Sequence, residues 1–144
     1  MDVREQARPT PKPSPETAHF WQGAAEGVLR LQRCRACDHV YFPPQPFCPR
    51  CSTDDVEIMV ASGRATLYSY SVVRLNRHPA FAPLGPYAVA SVDLDEGFRI
   101  LTNIVGVEPQ PELLSLDMDL EVVFEPLGDL AVPLFRPATI AVGA

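Results

Sequence analysis

The chain has 144 residues, of which 47% are hydrophobic and 21% charged, and its 12 Lys and Arg against 18 Asp and Glu give a formal net charge of −6. This composition is typical of one globular domain or two small ones, and it excludes wholesale disorder. No apolar run approaches the ~18 residues that a transmembrane helix needs, and the polar N-terminus lacks the apolar segment of a secretion signal. We therefore expect a cytoplasmic protein without membrane contact.

The acidic charge lies mainly in the second half of the chain. Residues 1–60 contain seven basic and eight acidic side chains, whereas residues 61–144 contain five and ten. Proteins that bind nucleic acid usually carry a basic patch, because phosphate contacts supply much of their affinity. The charge balance therefore disfavours nucleic acid as a partner.

The N-terminal residues predict an extended arm. Proline occupies every second position at Pro9, Pro11, Pro13 and Pro15. Such a segment is typical of a flexible, polyproline-like arm, which we place at residues 1–13.

One helix follows this arm. Ser14, Pro15 and Glu16 resemble a helix start with serine as the N-cap, and the helix is predicted from Pro15 to Glu26, ending before Gly27. Apolar residues recur at helical spacing and predict one apolar face, formed by Ala18, Trp21, Ala25 and Val28.

Only strand-like segments follow the helix. Alternating, β-branched and aromatic residues predict strands at 28–33, 40–42, 56–60, 65–73, 87–94, 98–105, 120–124 and 130–135. Turn signals lie at 95–97 and 127–129, and residues 108–119 read as a loop or short helical turn. The last five strands suit a small closed barrel. We therefore predict a mainly β chain with an arm (1–13), a helix plus a cysteine-rich module (14–60), a five-stranded OB-like barrel (61–138) and a tail (139–144).

All four cysteines form a pattern typical of a metal site. Cys34 and Cys37 are followed, after ten residues, by Cys48 and Cys51. Two Cys-x-x-Cys turns that face each other place four thiolates around one point, which is the arrangement that Zn²⁺ prefers. His39 follows the first pair and is interpreted as a neighbouring residue rather than a ligand.

Other uses of these cysteines are less consistent with the sequence. Two disulfides would need an oxidising compartment, and the sequence shows no secretion signal. A thioredoxin-like redox pair would use a single Cys-x-x-Cys motif in a βαβ context, whereas this chain has two such motifs. Rubredoxin-type iron uses the same ligands and stays an alternative to zinc. Four thiolates close the coordination shell, so one ion is expected to be structural rather than catalytic.

No catalytic motif accompanies this cluster. His19, His39 and His78 lie outside any nucleophile or metal motif, and glycine-rich phosphate loops are missing from the sequence. We therefore expect no catalytic activity from the chain alone.

The segment from Arg74 to Tyr87 is the best candidate for binding. Arg74, Arg77 and His78 suit the phosphates of coenzyme A or acidic groups of a partner protein. Phe81 and Tyr87 suit an acyl or adenine surface. Ordinary packing of this loop stays the alternative.

The order of these features resembles a known family. Phe20-Trp21, Cys34-Arg35-Ala36-Cys37, Phe42-Pro43-Pro44, Cys48-Pro49-Arg50-Cys51, Pro86-Tyr87 and Phe135-Arg136-Pro137 occur in sequence. They are similar to the family that joins a rubredoxin-like zinc ribbon to an OB-fold, long filed as a domain of unknown function. Asp38 and Ser52 depart from it, because family members often have glycine there.

The resemblance implies an accessory subunit of acyl-CoA metabolism that is either non-catalytic or co-catalytic. Its partner would be a thiolase-fold enzyme, such as a lipid-transfer-type thiolase or a retro-aldolase of steroid side-chain degradation, with acyl-CoA shared between the subunits in a hetero-oligomer. A stand-alone acyl-CoA-binding module is the first alternative. A single-stranded nucleic-acid-binding protein, with Tyr68, Tyr70 and Phe98 as stacking surfaces, is the second.

Replacing Cys34 or Cys48 by serine is expected to unfold the cysteine-rich module, because metal binding contributes about 10–16 kcal/mol to folding in small zinc modules. Bound metal and thermal stability measure the effect. Full metal content and full stability in either variant would contradict the assignment of the cysteine cluster.

Overall fold

The structure, a computed structural model, describes residues 8–139. A helix, α1 (Ala18–Ala25), precedes eight strands in this part of the chain. The first three are β1 (Arg30–Cys34), β2 (Val40–Tyr41) and β3 (Val56–Val60), and the last five are β4 (Arg64–Val73), β5 (Tyr87–Leu94), β6 (Arg99–Ile104), β7 (Asp119–Leu127) and β8 (Leu130–Pro137). The mainly β fold with an N-terminal helix is confirmed, and every predicted strand is present with small changes at its ends.

The helix begins later than predicted. Ser14 is not its N-cap, because Ser14 and Thr17 form a separate turn in which the Thr17 N–H donates to the Ser14 carbonyl at 3.1 Å. The predicted apolar face is only partly the buried one. Trp21 packs against the core and Val28 is half-buried, but Ala18 and Ala25 are exposed. The buried residues of α1 are Phe20, Gly23 and Ala24. The buried face is the one that contacts β1 of the first sheet and strands β7 and β8 of the barrel. Helical spacing alone does not show which face of a helix makes such contacts.

The C-terminal end of the helix agrees with the sequence. Gly27 has a φ of 78°, a left-handed conformation that glycine adopts without strain. The N–H of Val28 donates to the Gly23 carbonyl at 2.8 Å, and the N–H of Gly27 donates to the Ala24 carbonyl at 3.1 Å. These bonds satisfy the last carbonyls of α1 and turn the chain into β1.

The first three strands form a small antiparallel sheet in the order β2-β1-β3. Leu31 at its centre is buried, and it belongs to the same hydrophobic cluster as Phe20 and the barrel core. The rings of Phe20 and Phe42 pack with their centroids 5.1 Å apart. The aromatic residues of the Phe20-Trp21 and Phe42-Pro43-Pro44 motifs therefore join the helix to the ribbon.

The last five strands close into a barrel, as predicted, and their order around it is β4-β5-β6-β8-β7. All neighbours are antiparallel except β6 and β8, which meet in one parallel pair, Ile104 with Phe135. A register shift between Leu67 and Ser69 lets the long β4 bend and pair with both β5 and β7. Fully buried apolar side chains fill the interior, among them Leu67, Val92, Leu120 and Phe135.

The connections agree with the turn signals. Residues 128 and 129 link β7 to β8, whose ends pair through Leu127 and Leu130. A 3-10 turn at Pro111–Leu113 lies within the predicted loop or helical turn at 108–119. A second 3-10 turn, Ala82–Leu84, lies in the segment between β4 and β5.

Part of the predicted termini lies outside the described residues. Residues 1–7 of the predicted arm and residues 140–144 of the predicted tail belong to this group. Within the described part, the Arg8 guanidinium donates to a Glu125 carboxylate oxygen of β7 at 2.6 Å. The predicted domain limits stay predictions. No helix among residues 8–139 is long and apolar enough to cross a membrane.

Gly63, before β4, permits a close approach that no other residue type allows. Its φ is +78°, and an added Cβ would lie 2.7 Å from Val122 Cγ1 on β7. We expect Gly63→Ala to lower the free energy of unfolding by about 2–4 kcal/mol, because backbone strain and overpacking add. Chemical denaturation measures the loss.

Gly97→Ala is the matched control, because Gly97 also has a positive φ, +97°, but nothing lies within 4 Å of its added Cβ. We expect Gly97→Ala to lower the free energy of unfolding by only about 1–2 kcal/mol, because it adds backbone strain without a steric contact. Equal losses in the two variants would show that contact with Val122 is not what restricts position 63.

Candidate metal centre and binding groove

The structure brings the four cysteines together at one end of the ribbon sheet. Cys34 ends β1, Cys37 follows in the next turn, and Cys48 and Cys51 lie in the turn before β3. Their four Sγ atoms all lie within 4.8 Å of one another. The Cys34–Cys51 sulfur distance is 3.5 Å and the Cys37–Cys48 distance is 3.7 Å. Four sulfurs bound tetrahedrally at ~2.3 Å from zinc would be ~3.8 Å apart, so the donor set fits one such ion.

Two backbone turns of the same construction hold these sulfurs. In the first, the Cys34 N–H donates to the His39 carbonyl at 2.9 Å and the Asp38 N–H donates to the Cys34 carbonyl at 2.9 Å. In the second, the Cys48 N–H donates to the Thr53 carbonyl at 2.9 Å and the Ser52 N–H donates to the Cys48 carbonyl at 2.8 Å. This repeated bonding explains why each Cys-x-x-Cys pair directs both sulfurs to one side.

Backbone N–H groups also point at the sulfurs. The Cys37 N–H lies 3.4 Å from Cys34 Sγ, and the Arg50 N–H lies 3.4 Å from Cys48 Sγ. Such donors stabilise thiolates, the form that binds a metal. They strengthen the fit between this cluster and a cation.

The thiols differ in how easily they ionise without a cation. The His39 backbone N–H favours the Cys37 thiolate, but desolvation and the neighbouring cysteines outweigh it and raise the pKa of Cys37 to about 12. Burial disfavours the Cys48 thiolate, but the backbone N–H groups of Cys51 and Arg50 outweigh it and lower the pKa of Cys48 to about 7. Crowded thiols cannot all ionise alone, so a cation must supply the compensating charge.

His39 is placed as expected. Its backbone carbonyl accepts the Cys34 N–H, and its ring stacks on Tyr41 with the centroids 5.9 Å apart. The group of metal-ligand atoms found among residues 8–139 consists of the four cysteines only. The histidine therefore supports the turn through its backbone.

The structure does not gather the predicted binding residues into a closed site. Arg74, Arg77 and His78 are all exposed. The Ala80 N–H donates to His78 Nδ1 at 3.1 Å, and the two arginines form no ion pair within the described part of the chain. Arg74 and Arg77 thus lie on an exposed segment between β4 and β5, called the cationic loop below.

An apolar groove that the sequence patterns did not predict lies next to this loop. Its volume is about 480 Å³, and it extends from the loop across β6 to β8. Its lining is mostly apolar and comprises Arg8, Phe81, Leu84, Tyr87, Val89, Leu101, Thr102, Asn103, Ile104, Val105, Glu125 and Leu134. Of these, only Phe81 and Tyr87 were expected to line a binding surface, because strand alternation does not show which outward faces become concave.

The loop and the groove are joined by hydrogen bonds. The Asn76 amide donates to the Tyr87 hydroxyl at 2.9 Å, and the His78 N–H donates to Asn76 Oδ1 at 2.9 Å. These bonds hold the cationic loop against one wall of the groove.

Comparison with known proteins agrees with this architecture. Residues 21–57 match the family model "ChsH2, rubredoxin-like zinc ribbon domain", and residues 59–125 match "ChsH2, C-terminal OB-fold domain". The fold and the cysteine cluster thus define a protein with a zinc-ribbon domain followed by an OB-fold.

The chain is also similar in sequence to several described proteins. The chain is 38% identical over 134 residues to the probable enoyl-CoA hydratase alpha subunit of Thermomonospora curvata, covering 91% of this chain and 40% of that subunit. It is 32% identical over 111 residues to a DUF35 domain-containing scaffold protein of Methanothermobacter thermautotrophicus, covering 76% and 81%. It is 28% identical over 101 residues to the benzoylsuccinyl-CoA thiolase subunit BbsA of Thauera aromatica, covering 70% and 66%.

A solved structure gives the same result. The chain is similar to a chain of the "Ltp2-ChsH2(DUF35) aldolase" with a TM-score of 0.78 and 36% sequence identity, covering 90% of this chain and 100% of the other. The chain belongs to the ChsH2/DUF35 family, which confirms the resemblance noted in its motifs. It spans only about 40% of the length of the Thermomonospora hydratase subunit.

Ser52 is strained in a way that explains why glycine suits this position. Its φ is 65°, and that of the equivalent Asp38 is 62°. We expect Ser52→Gly to raise the free energy of unfolding of the metal-loaded protein by about 0.5–1 kcal/mol, because left-handed backbone strain exceeds the entropy that glycine adds. Denaturant titration of the loaded protein measures the change.

Ser52→Val is the contrasting control, because a residue with a β-branched side chain tolerates a positive φ least. It should lower stability and metal retention. A Ser52→Gly protein as unstable as Ser52→Val would show that the serine side chain, and not the backbone conformation, is needed in this turn.

Proposed function

We propose that this protein is an accessory subunit of a thiolase-fold enzyme that acts on acyl-CoA thioesters, with a lipid-transfer-type aldolase or thiolase as the partner. The observation that carries the proposal is the likeness to a whole chain of an aldolase complex at 36% identity. Similarity to a thiolase subunit and to a scaffold protein supports the same role. The partner would supply the catalytic groups.

The cysteine cluster would stabilise this subunit through one structural zinc ion. Cys34, Cys37, Cys48 and Cys51 would hold the ion, and its charge would compensate four crowded thiolates. The ribbon fold favours zinc, and iron with the same ligands is the alternative that elemental analysis of the native protein distinguishes.

The cationic loop would meet the anionic part of the shared ligand. Arg74 and Arg77 are exposed, and the next residue in the chain, His78, packs its ring against Phe81 of the groove lining, with the ring centroids 5.5 Å apart. Guanidinium groups match phosphate oxygens in shape and charge. The same groups would serve a stand-alone acyl-CoA-binding module, which is the alternative function.

Mixing the protein with the aldolase subunit of the solved complex tests the proposal. We expect a stable hetero-oligomer in size-exclusion chromatography with light scattering, and a higher aldolase activity or stability in the complex than in the aldolase alone. Subunit mass and substrate cleavage measure the two effects.

A CoA titration separates the alternatives. Arg74→Ala with Arg77→Ala should weaken CoA binding, whereas Arg50→Ala with Arg64→Ala, which removes two other exposed arginines, should not. CoA binding by the isolated chain with no complex formation would favour the stand-alone module. Binding of a single-stranded oligonucleotide instead would contradict both.

A further inference from the structure

The apolar groove beside the cationic loop carries no net charge of its own. Among the residues that line it only Arg8 and Glu125 are charged, and the Arg8 guanidinium donates to a Glu125 carboxylate oxygen at 2.6 Å. Most of the other lining side chains are aliphatic or aromatic, and one of them, Leu101, is 75% exposed. Such a surface favours an occupant that is uncharged and partly apolar.

The Tyr87 hydroxyl is one of the few polar groups in this lining, and its proton is available to a ligand. Asn76 Oδ1 accepts the His78 N–H at 2.9 Å, so the other end of the Asn76 amide, Nδ2, is the one that reaches Tyr87. Because Nδ2 can only donate, the Tyr87 oxygen accepts this bond, at 2.9 Å, and keeps its own proton free. Within residues 8–139 this hydroxyl forms no second hydrogen bond.

The Asn103 side chain offers the opposite function in the same lining. Its Nδ2 donates to the Ala88 carbonyl at 3.0 Å, which leaves Oδ1 as an acceptor without a partner in the described part of the chain. Asn103 of β6 pairs with Val89 of β5, which is two residues from Tyr87. Since residues two apart share a strand face, the free donor and the free acceptor lie on the same side of the sheet.

A chain with secondary amides between apolar segments fits this pattern. An amide oxygen accepts from a hydroxyl such as that of Tyr87, and an amide N–H donates to a carbonyl oxygen such as Asn103 Oδ1. The pantetheine arm of coenzyme A is a chain of this kind. It is uncharged, it contains secondary amides separated by methylene groups, and it connects the phosphates to the thioester.

We propose that the groove holds the pantetheine arm of an acyl-CoA. The inference rests on the proposed function, in which the cationic loop meets the phosphates, and it assigns the groove to the uncharged part of the same molecule. Tyr87 joins the two regions, because its hydroxyl is bonded to Asn76 and its side chain lines the groove. The arm would run across β6 towards Leu134, and the thioester would reach the partner's catalytic groups at that end.

An extended peptide segment of the partner enzyme is the competing occupant, because it also carries amides. A peptide has one amide in every residue, whereas the free side-chain groups of the lining are few. The Thr102 hydroxyl, for example, already lies 3.4 Å from the Pro133 carbonyl, to which it donates. Most amides of a peptide would thus lose water in an apolar groove without gaining a partner, which favours the pantetheine arm.

Calorimetric titration of the metal-loaded full chain tests this assignment. The two probes are CoA and adenosine 3′-phosphate 5′-diphosphate, which keeps the phosphates of CoA and lacks the arm. We expect CoA to bind at least about tenfold more tightly, because the arm adds buried apolar area and hydrogen bonds. Equal affinities for the two probes would overturn the inference.

Variants in the groove provide a second readout. Val89→Trp fills the groove with a large apolar ring and should cancel the difference between CoA and the nucleotide, while the affinity for the nucleotide stays unchanged. Leu116→Trp is the matched control, because Leu116 is 61% exposed and outside the groove lining. Asn103→Leu removes one acceptor without touching the cationic loop and should weaken CoA binding about threefold to tenfold.

The same titrations in the complex with the aldolase subunit of the solved structure separate this inference from the proposed function. A complex that binds CoA no better than the nucleotide, or equally well with Val89→Trp, would overturn the inference and leave the function standing. Arm-dependent CoA binding by a chain that forms no complex would support the inference and overturn the accessory role. Loss of the complex in Val89→Trp with unchanged CoA affinity would overturn the inference and identify a peptide segment of the partner as the occupant.

Discussion

Four sulfur atoms that meet at one point determine the first half of this molecule. Between β1 and β3 the chain has little apolar material to bury, and β2 contains only two residues. Two turns with the same hydrogen bonds bring Cys34 and Cys37 to face Cys48 and Cys51. Because crowded thiolates repel one another, the cluster needs a cation, and its charge would hold the ribbon together where hydrophobic burial is insufficient.

The ribbon in turn shapes the core of the whole protein. Leu29 and Leu31 share a hydrophobic cluster with Phe20 of the helix and with the interior of the barrel. The contact between Phe20 and Phe42 adds a direct link between helix and ribbon. Loss of the cysteine cluster would therefore remove support from one end of the barrel as well as from the ribbon itself.

The second half of the molecule is stabilised by strand pairing and a hydrophobic interior, and it carries an apolar groove on its surface. Long antiparallel ladders make most of the barrel, whereas β6 and β8 meet in a single parallel pair. The cationic loop is held beside this groove by the bond between Asn76 and Tyr87. An accessory subunit would thus present an apolar groove and an exposed arginine-bearing loop on neighbouring surfaces, which is consistent with relatives that are subunits and scaffolds.

The sequence by itself determined the features that depend on local chemistry. Cysteine spacing predicted the cluster, alternation predicted every strand, and turn residues such as Gly27 predicted where elements end, because each of these signals acts within a few residues. Only the tertiary structure decided which helix face is buried, since Ala18 and Ala25 are as apolar as Ala24 but are exposed, whereas Ala24 is buried. It also decided that Leu101 and Leu134 line one groove: they lie far apart in sequence and become neighbours only when β6 and β8 close the barrel.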